Sequence, residues 1–92
     1  MKRILKYPLQ LTGSQSVELP AGAEILSVQE QRGMPQLWAL VDPDEPGELV
    51  EIVCYGTGQE IEAEHPLSFI STEQFNSGQF VFHFFEVQKP SA

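Results

Sequence analysis

The sequence predicts an all-β fold: a single small antiparallel β-sandwich or partly closed barrel of about six to eight short strands. Three observations support it. Apolar residues alternate with polar ones or form short blocks. Turn-forming glycines, prolines and an asparagine separate these segments. No segment repeats apolar residues at i, i+3, i+4 and i+7 over three turns, as an amphipathic helix would.

The first half of the chain contains four predicted strands, at residues 4–11, 16–19, 24–31 and 35–41. The last two flank Arg32 and Gly33, a two-residue connection in which glycine supplies the positive φ that hairpin turns require. Residues 42–47 include two prolines, which fix φ and lack an N–H donor. We therefore expect a hairpin followed by a loop.

The second half contains predicted strands at residues 49–55, 67–75 and 79–87, with a turn at residues 56–58 and a hairpin turn at residues 76–78. Between them, residues 59–64 read as a short exposed strand or arm that ends before Pro66. The last strand is apolar on both faces: alternation places Phe80, Phe82 and Phe84 on one side, and Val81, Phe85 and Val87 beside His83 on the other. We expect this strand to lie centrally.

A chain of 92 residues is too short for two domains. The sequence predicts a single domain at residues 1–88 and a frayed tail at residues 89–92. Ordering such a chain costs about 1.5 kcal/mol per residue, which a thin core barely offsets. Its large aromatic side chains, Trp38 among them, exceed what one layer encloses. We therefore expect a homodimer, with Trp38 itself in the core.

No apolar run approaches the ~20 residues of a membrane span, and no apolar signal segment follows Met1. We expect a cytoplasmic protein without membrane contact. The single Cys54 cannot form an intrachain disulfide. A thiolate–imidazole pair with His65 or His83 lacks a third orienting group, so we expect Cys54 and His83 to serve packing and the protein not to be an enzyme.

Metal and phosphate motifs are incomplete. Asp42, Asp44 and Gly47 occupy the first, third and sixth places of an EF-hand loop, but Pro46 stands at the fifth place and Val53 at the twelfth. The turn at residues 56–58 lacks a following helix and nearby cations. We expect neither a metal nor a cofactor. A small anion would find its best ligands in Lys2 and Lys6, which strand periodicity places on one face.

Charge is the most informative feature. The chain has a formal net charge of −8, and no Lys or Arg occurs between Gly33 and Gln88, where all ten charged residues are acidic. Nucleic-acid binding is not expected, because phosphates require basic side chains. Two interpretations stay open, namely solubility and docking on the basic surface of another protein. The candidate partner-binding residues are Asp42, Asp44, Glu45, Glu48, Glu60, Glu62 and Glu64.

In a strand, Glu60, Glu62 and Glu64 would share one face. Such charges protect an exposed edge strand from pairing with another chain, or they form an acidic stripe for a basic partner.

Five segments are distinctive: KRILKYPL at residues 2–9, VELPAGAEILSVQ at 17–29, LWALVDP at 37–43, GTG at 56–58 and FVFHFFE at 80–86. Together they resemble a family of short uncharacterised β-proteins, a domain of unknown function, from bacteriophages, prophages and bacterial genomes. The resemblance implies a host-interaction factor acting in the bacterial cytoplasm, for example an inhibitor of a defence protein. The leading hypothesis is a non-enzymatic inhibitor with an acidic β-surface. The alternative is an oligomer that sequesters a small anionic, nucleotide-like signal molecule.

Overall fold

The computed structural model describes residues 1–89, and most of the predicted tail, residues 90–92, lies outside them. The described part contains seven strands and no helix, so none that could cross a membrane. The strands are β1 (Arg3–Pro8), β2 (Ser14–Pro20), β3 (Glu24–Gln31), β4 (Met34–Val41), β5 (Gly47–Gly56), β6 (Leu67–Phe75) and β7 (Phe80–Val87). The all-β prediction is confirmed.

The strands form two antiparallel sheets, and the sandwich is the predicted architecture that occurs. The three-stranded sheet has the order β1-β4-β3, and the four-stranded sheet has the order β2-β5-β7-β6. Strand β7 therefore lies between two neighbours, as its apolar pattern predicted. The sheets meet where β3 approaches β6, and there the Val28 N–H donates to Ser71 Oγ at 2.9 Å.

The core lies between the inner faces of the sheets. Strand β4 shows the alternation most clearly, because Leu37, Ala39 and Val41 are buried whereas the residues between them are only half-buried. A fully buried Leu or Val side chain contributes about 1.5–3 kcal/mol to folding. The buried apolar cluster consists of Leu9, Leu19, Val28, Leu37, Ala39, Val41, Ile52, Cys54, Phe75 and Phe84.

Both predicted hairpins occur. Arg32 (φ 55°) and Gly33 (φ 83°) both adopt positive φ, the combination that a two-residue turn needs to match the twist of its strands. The second hairpin turns through Asn76 (φ 52°), Ser77 (φ 56°) and Gly78 (φ 86°). Asparagine and glycine tolerate this region best, which explains their place in the sequence.

Of the two alternatives for residues 59–64, the exposed arm occurs and the short strand does not. Residues 59–63 have no regular structure, and a bend at Glu64 and His65 leads into β6. Both edges of β5 are already paired, with β2 on one side and β7 on the other. Residues 60–65 form no backbone–backbone hydrogen bond among the described residues, so Glu60, Glu62 and Glu64 do not alternate about a sheet.

The expected burial of Trp38 is also wrong. Trp38 lies on the outer face of the three-stranded sheet, opposite Lys6 on β1 and Ser27 on β3, and is half-buried. The same holds for the second face of β7, where His83 and Phe85 are half-buried. The reason is that no further sheet or helix of the described residues covers either outer face.

Candidate functional site

An aromatic patch covers the outer face of the four-stranded sheet. Strand register places Val53 on β5, Phe85 on β7 and Phe69 on β6 side by side. The ring of Phe85 makes edge contacts with Phe69 at 5.6 Å and with Tyr55 at 6.1 Å between centroids. Phe69 remains 60% exposed. An exposed aromatic cluster of this kind is typical of a binding surface.

The segment formed by residues 59–66 borders this face and creates a groove of about 370 Å³, which we call the outer groove. Its apolar lining comes from the strands and includes Val53, Tyr55, Leu67 and Val87. Its polar lining from the segment consists of Glu62, Glu64 and His65.

Glu51 belongs to the same groove and, among the described residues, is the groove carboxylate that has an ion-pair and a hydrogen-bond partner. Lys89 Nζ lies 2.7 Å from Glu51 Oε1, and Ser14 Oγ donates to Glu51 Oε2 at 3.2 Å. The hydrogen bond from Lys89 lowers the pKa of the Glu51 carboxyl most; burial opposes this, and the charge of Lys89 and the hydrogen bond from Ser14 lower the pKa further. Glu51 is therefore ionised at neutral pH.

The seven acidic residues predicted to bind a partner border different depressions. Asp42 and Glu45 share one with Lys2, and Asp44 borders another with Met1 and Arg3. The amino terminus lies 3.6 Å from Asp42 Oδ1, so the residues 42–45 sit beside the basic start of the chain.

The other predicted acidic residues lie nearer β5. Glu62 and Glu64 line the outer groove, and Glu48 borders a neighbouring depression together with Glu51. Glu60 is exposed in the 59–66 segment and lines neither the outer groove nor the depression that contains Glu48.

The two lysines proposed for an anion site are engaged separately. Lys6 Nζ donates to Gln31 Oε1 at 2.7 Å, whereas Lys2 borders the depression that contains Asp42 and Glu45. No contact of the described residues favours an anion between them.

Cys54 and His83 project from opposite faces of their sheet. Cys54 is 7% exposed in the core opposite Phe84, and burial raises the pKa of its thiol to about 11. The His83 ring faces outward, with Nε2 2.7 Å from Thr57 Oγ1 and Nδ1 2.8 Å from Thr72 Oγ1. Cys54 therefore lies in the core, where the packing interpretation places it, and on the opposite face of the sheet from His83. Across residues 1–89, no three His, Cys, Asp or Glu side chains are placed to share a metal ion.

Sequence reasoning missed the outer groove and the role of Glu51. A signal was present, because Glu51, Val53 and Tyr55 alternate along β5, and a carboxylate on that face indicates that the face meets water. The contribution of Lys89 carried no local signal, since it is 38 residues away from Glu51 in sequence.

Comparison with known proteins identifies a family. No curated protein and no solved structure is significantly similar to the chain. The family model described as a domain of unknown function, DUF7352, matches residues 1–92. The chain therefore belongs to the DUF7352 family.

Proposed function

We propose that this protein is a non-enzymatic interaction protein that binds a basic surface of another protein through its acidic side chains. The observation that carries the proposal is the unneutralised charge of the body of the molecule. Ten carboxylates and no Lys or Arg occur between Gly33 and Gln88. Within residues 1–89 only Asp42 and Glu51 have a cationic group within 4 Å. The resulting negative potential attracts and orients a basic partner.

The resemblance to bacteriophage and prophage proteins supports a bacterial host protein as that partner. A small acidic domain that covers a basic site prevents the site from binding its own anionic ligand, such as nucleic acid or nucleotide. The consequence we propose is inhibition of a host defence protein in the bacterial cytoplasm.

Affinity capture from bacterial lysate tests this function. The control is a variant in which Asp42, Asp44, Glu45, Glu48, Glu60, Glu62 and Glu64 are replaced by Asn or Gln, with its fold checked by circular dichroism. We expect the native protein to retain host proteins that elute as salt rises and that the neutralised variant does not retain. Identical captured proteins for both forms at low salt would refute the proposal.

A further inference from the structure

We infer that the outer groove is the docking site for the basic partner and that it takes an extended segment carrying an arginine or lysine side chain. This inference rests on the proposed function and adds the place and the chemistry of recognition. Three features of the groove support it: a cation already seated at Glu51, an apolar floor, and acidic side chains on the bordering segment.

The seated cation belongs to the chain itself. Lys89 follows β7, and its ammonium lies 2.7 Å from Glu51. Its side chain is 58% exposed, so the pair is open to exchange with another cation. Lys89 thus shows the position that a partner's basic group would take. An incoming guanidinium would gain two donors on the carboxylate where ammonium offers one compact charge.

The apolar floor suits the rest of such a side chain. Lys and Arg carry long methylene stems that pack on apolar surface while the charged end reaches a carboxylate. Val53, Leu67 and Val87 supply that surface, and Tyr55 adds an aromatic ring on which a guanidinium can stack. Beyond the groove, Phe69 and Phe85 continue the apolar face, so alternate apolar side chains of an extended segment also find contacts.

The acidic side chains of the groove favour a basic partner over a second copy of the chain. Glu51, Glu62 and Glu64 line the groove together, and each copy of the chain has a net charge of −8. A second copy docked on this face would bring like charges together, which disfavours it. The acids at residues 42–45 are a weaker site, because the amino terminus, Lys2 and Arg3 lie beside them, whereas Lys89 alone among Lys and Arg side chains lines the groove with its three carboxylates.

The test uses a short synthetic peptide in which arginine alternates with valine, titrated into the full-length ¹⁵N-labelled protein. We expect the backbone amide signals of Val53, Tyr55, Leu67 and Val87 to shift on binding and those of residues 42–45 to stay in place. Shifts concentrated at residues 42–45 would overturn the inference but leave the proposed function standing. Absence of binding would also overturn it, and the lysate capture then decides the proposed function separately.

Matched variants sharpen the test. Glu51→Gln should weaken peptide binding about tenfold, whereas Glu45→Gln, with the same change of charge, should weaken it less than about twofold. Lys89→Gln should tighten binding about threefold, because the competing cation is gone, and Lys2→Gln should have a smaller effect. Recognition at Glu51 would be refuted if Glu51→Gln and Glu45→Gln weakened binding equally. It would also be refuted if Lys89→Gln and Lys2→Gln had equal effects.

Discussion

The two outer faces of the sandwich differ in charge more than in apolar content. The face of the three-stranded sheet carries Trp38, exposed Ile4, and one charge of each sign, Lys6 and Glu24, at its strand pairs. The face of the four-stranded sheet carries the aromatic patch beside three groove-lining carboxylates. Neutral apolar surface suits contact between copies, whereas acidic apolar surface suits a basic partner. We therefore expect the two faces, which share one core, to make different kinds of contact.

The largest expected effect is a difference in unfolding free energy between variants of buried and of exposed residues. Phe84→Ala should lower the free energy of unfolding by about 3–5 kcal/mol, because Phe84 is completely buried. Phe69→Ala on the exposed face of the same sheet should cost less than about 1 kcal/mol. Urea denaturation monitored by circular dichroism measures both. Comparable losses would mean that the aromatic patch is part of the stabilising core.

The second effect concerns the inner face of β5. Because burial raises the pKa of Cys54 to about 11, the thiol should be alkylated at pH 8 about 100-fold more slowly in the native protein than in urea. Cys54→Ala should leave partner binding unchanged. Rapid alkylation of native protein, or loss of binding in a folded Cys54→Ala variant, would contradict a purely structural role.

The third effect concerns self-association, which we predict through the three-stranded sheet. Trp38→Glu should weaken a homodimer at least about tenfold, because it places a charge in an apolar contact. Phe69→Glu on the opposite face should not weaken the homodimer. Light scattering over a concentration series distinguishes them. A native protein that stays monomeric at high micromolar concentration would refute the dimer.

The smallest effect is the contribution of the Glu51–Lys89 pair to stability. Since the pKa of Glu51 is lowered on folding, its ionised form stabilises the native state above the unfolded pKa of about 4.5. That stability is lost as pH falls through the folded pKa. The difference in unfolding free energy between native protein and Glu51→Gln should be larger at pH 7 than at pH 3, yet below about 1 kcal/mol.

A control for this pH effect replaces the partner. In a Lys89→Gln background, Glu51→Gln should show a smaller dependence on pH. An unchanged pH dependence would mean that Lys89 does not lower the pKa of Glu51.

Local sequence signals predicted most of the fold. Strands β3 and β6 lie at the predicted residues, and both hairpins turn where glycine follows residues of positive φ. For residues 59–64 the sequence left a strand and an arm open, because alternating residues form a strand only where they pair with a neighbouring strand, and that pairing depends on the whole sheet. The burial of Trp38 was predicted wrongly for a related reason. The apolar residues of a strand do not reveal whether a second layer covers its outer face.

The candidate site was less predictable. The acidic character of the chain was visible in its composition. That the acidic side chains lie in two separate places, at residues 42–45 and in the outer groove, follows only from the topology. Glu51 became important only through its contacts with Ser14 and Lys89, which are distant in sequence.

The most direct test of the account compares two variants of equal net charge. One replaces Glu51, Glu62 and Glu64 by Gln, and the other replaces Asp42 and Asp44 by Asn together with Glu45 by Gln. Fluorescence anisotropy of the labelled arginine–valine peptide measures their affinities at several salt concentrations. We predict that the groove variant loses about 30-fold in affinity and most of its salt dependence, while the loop variant stays within about threefold of the native protein. Equal losses in both variants would contradict the account, because net charge alone would then explain binding.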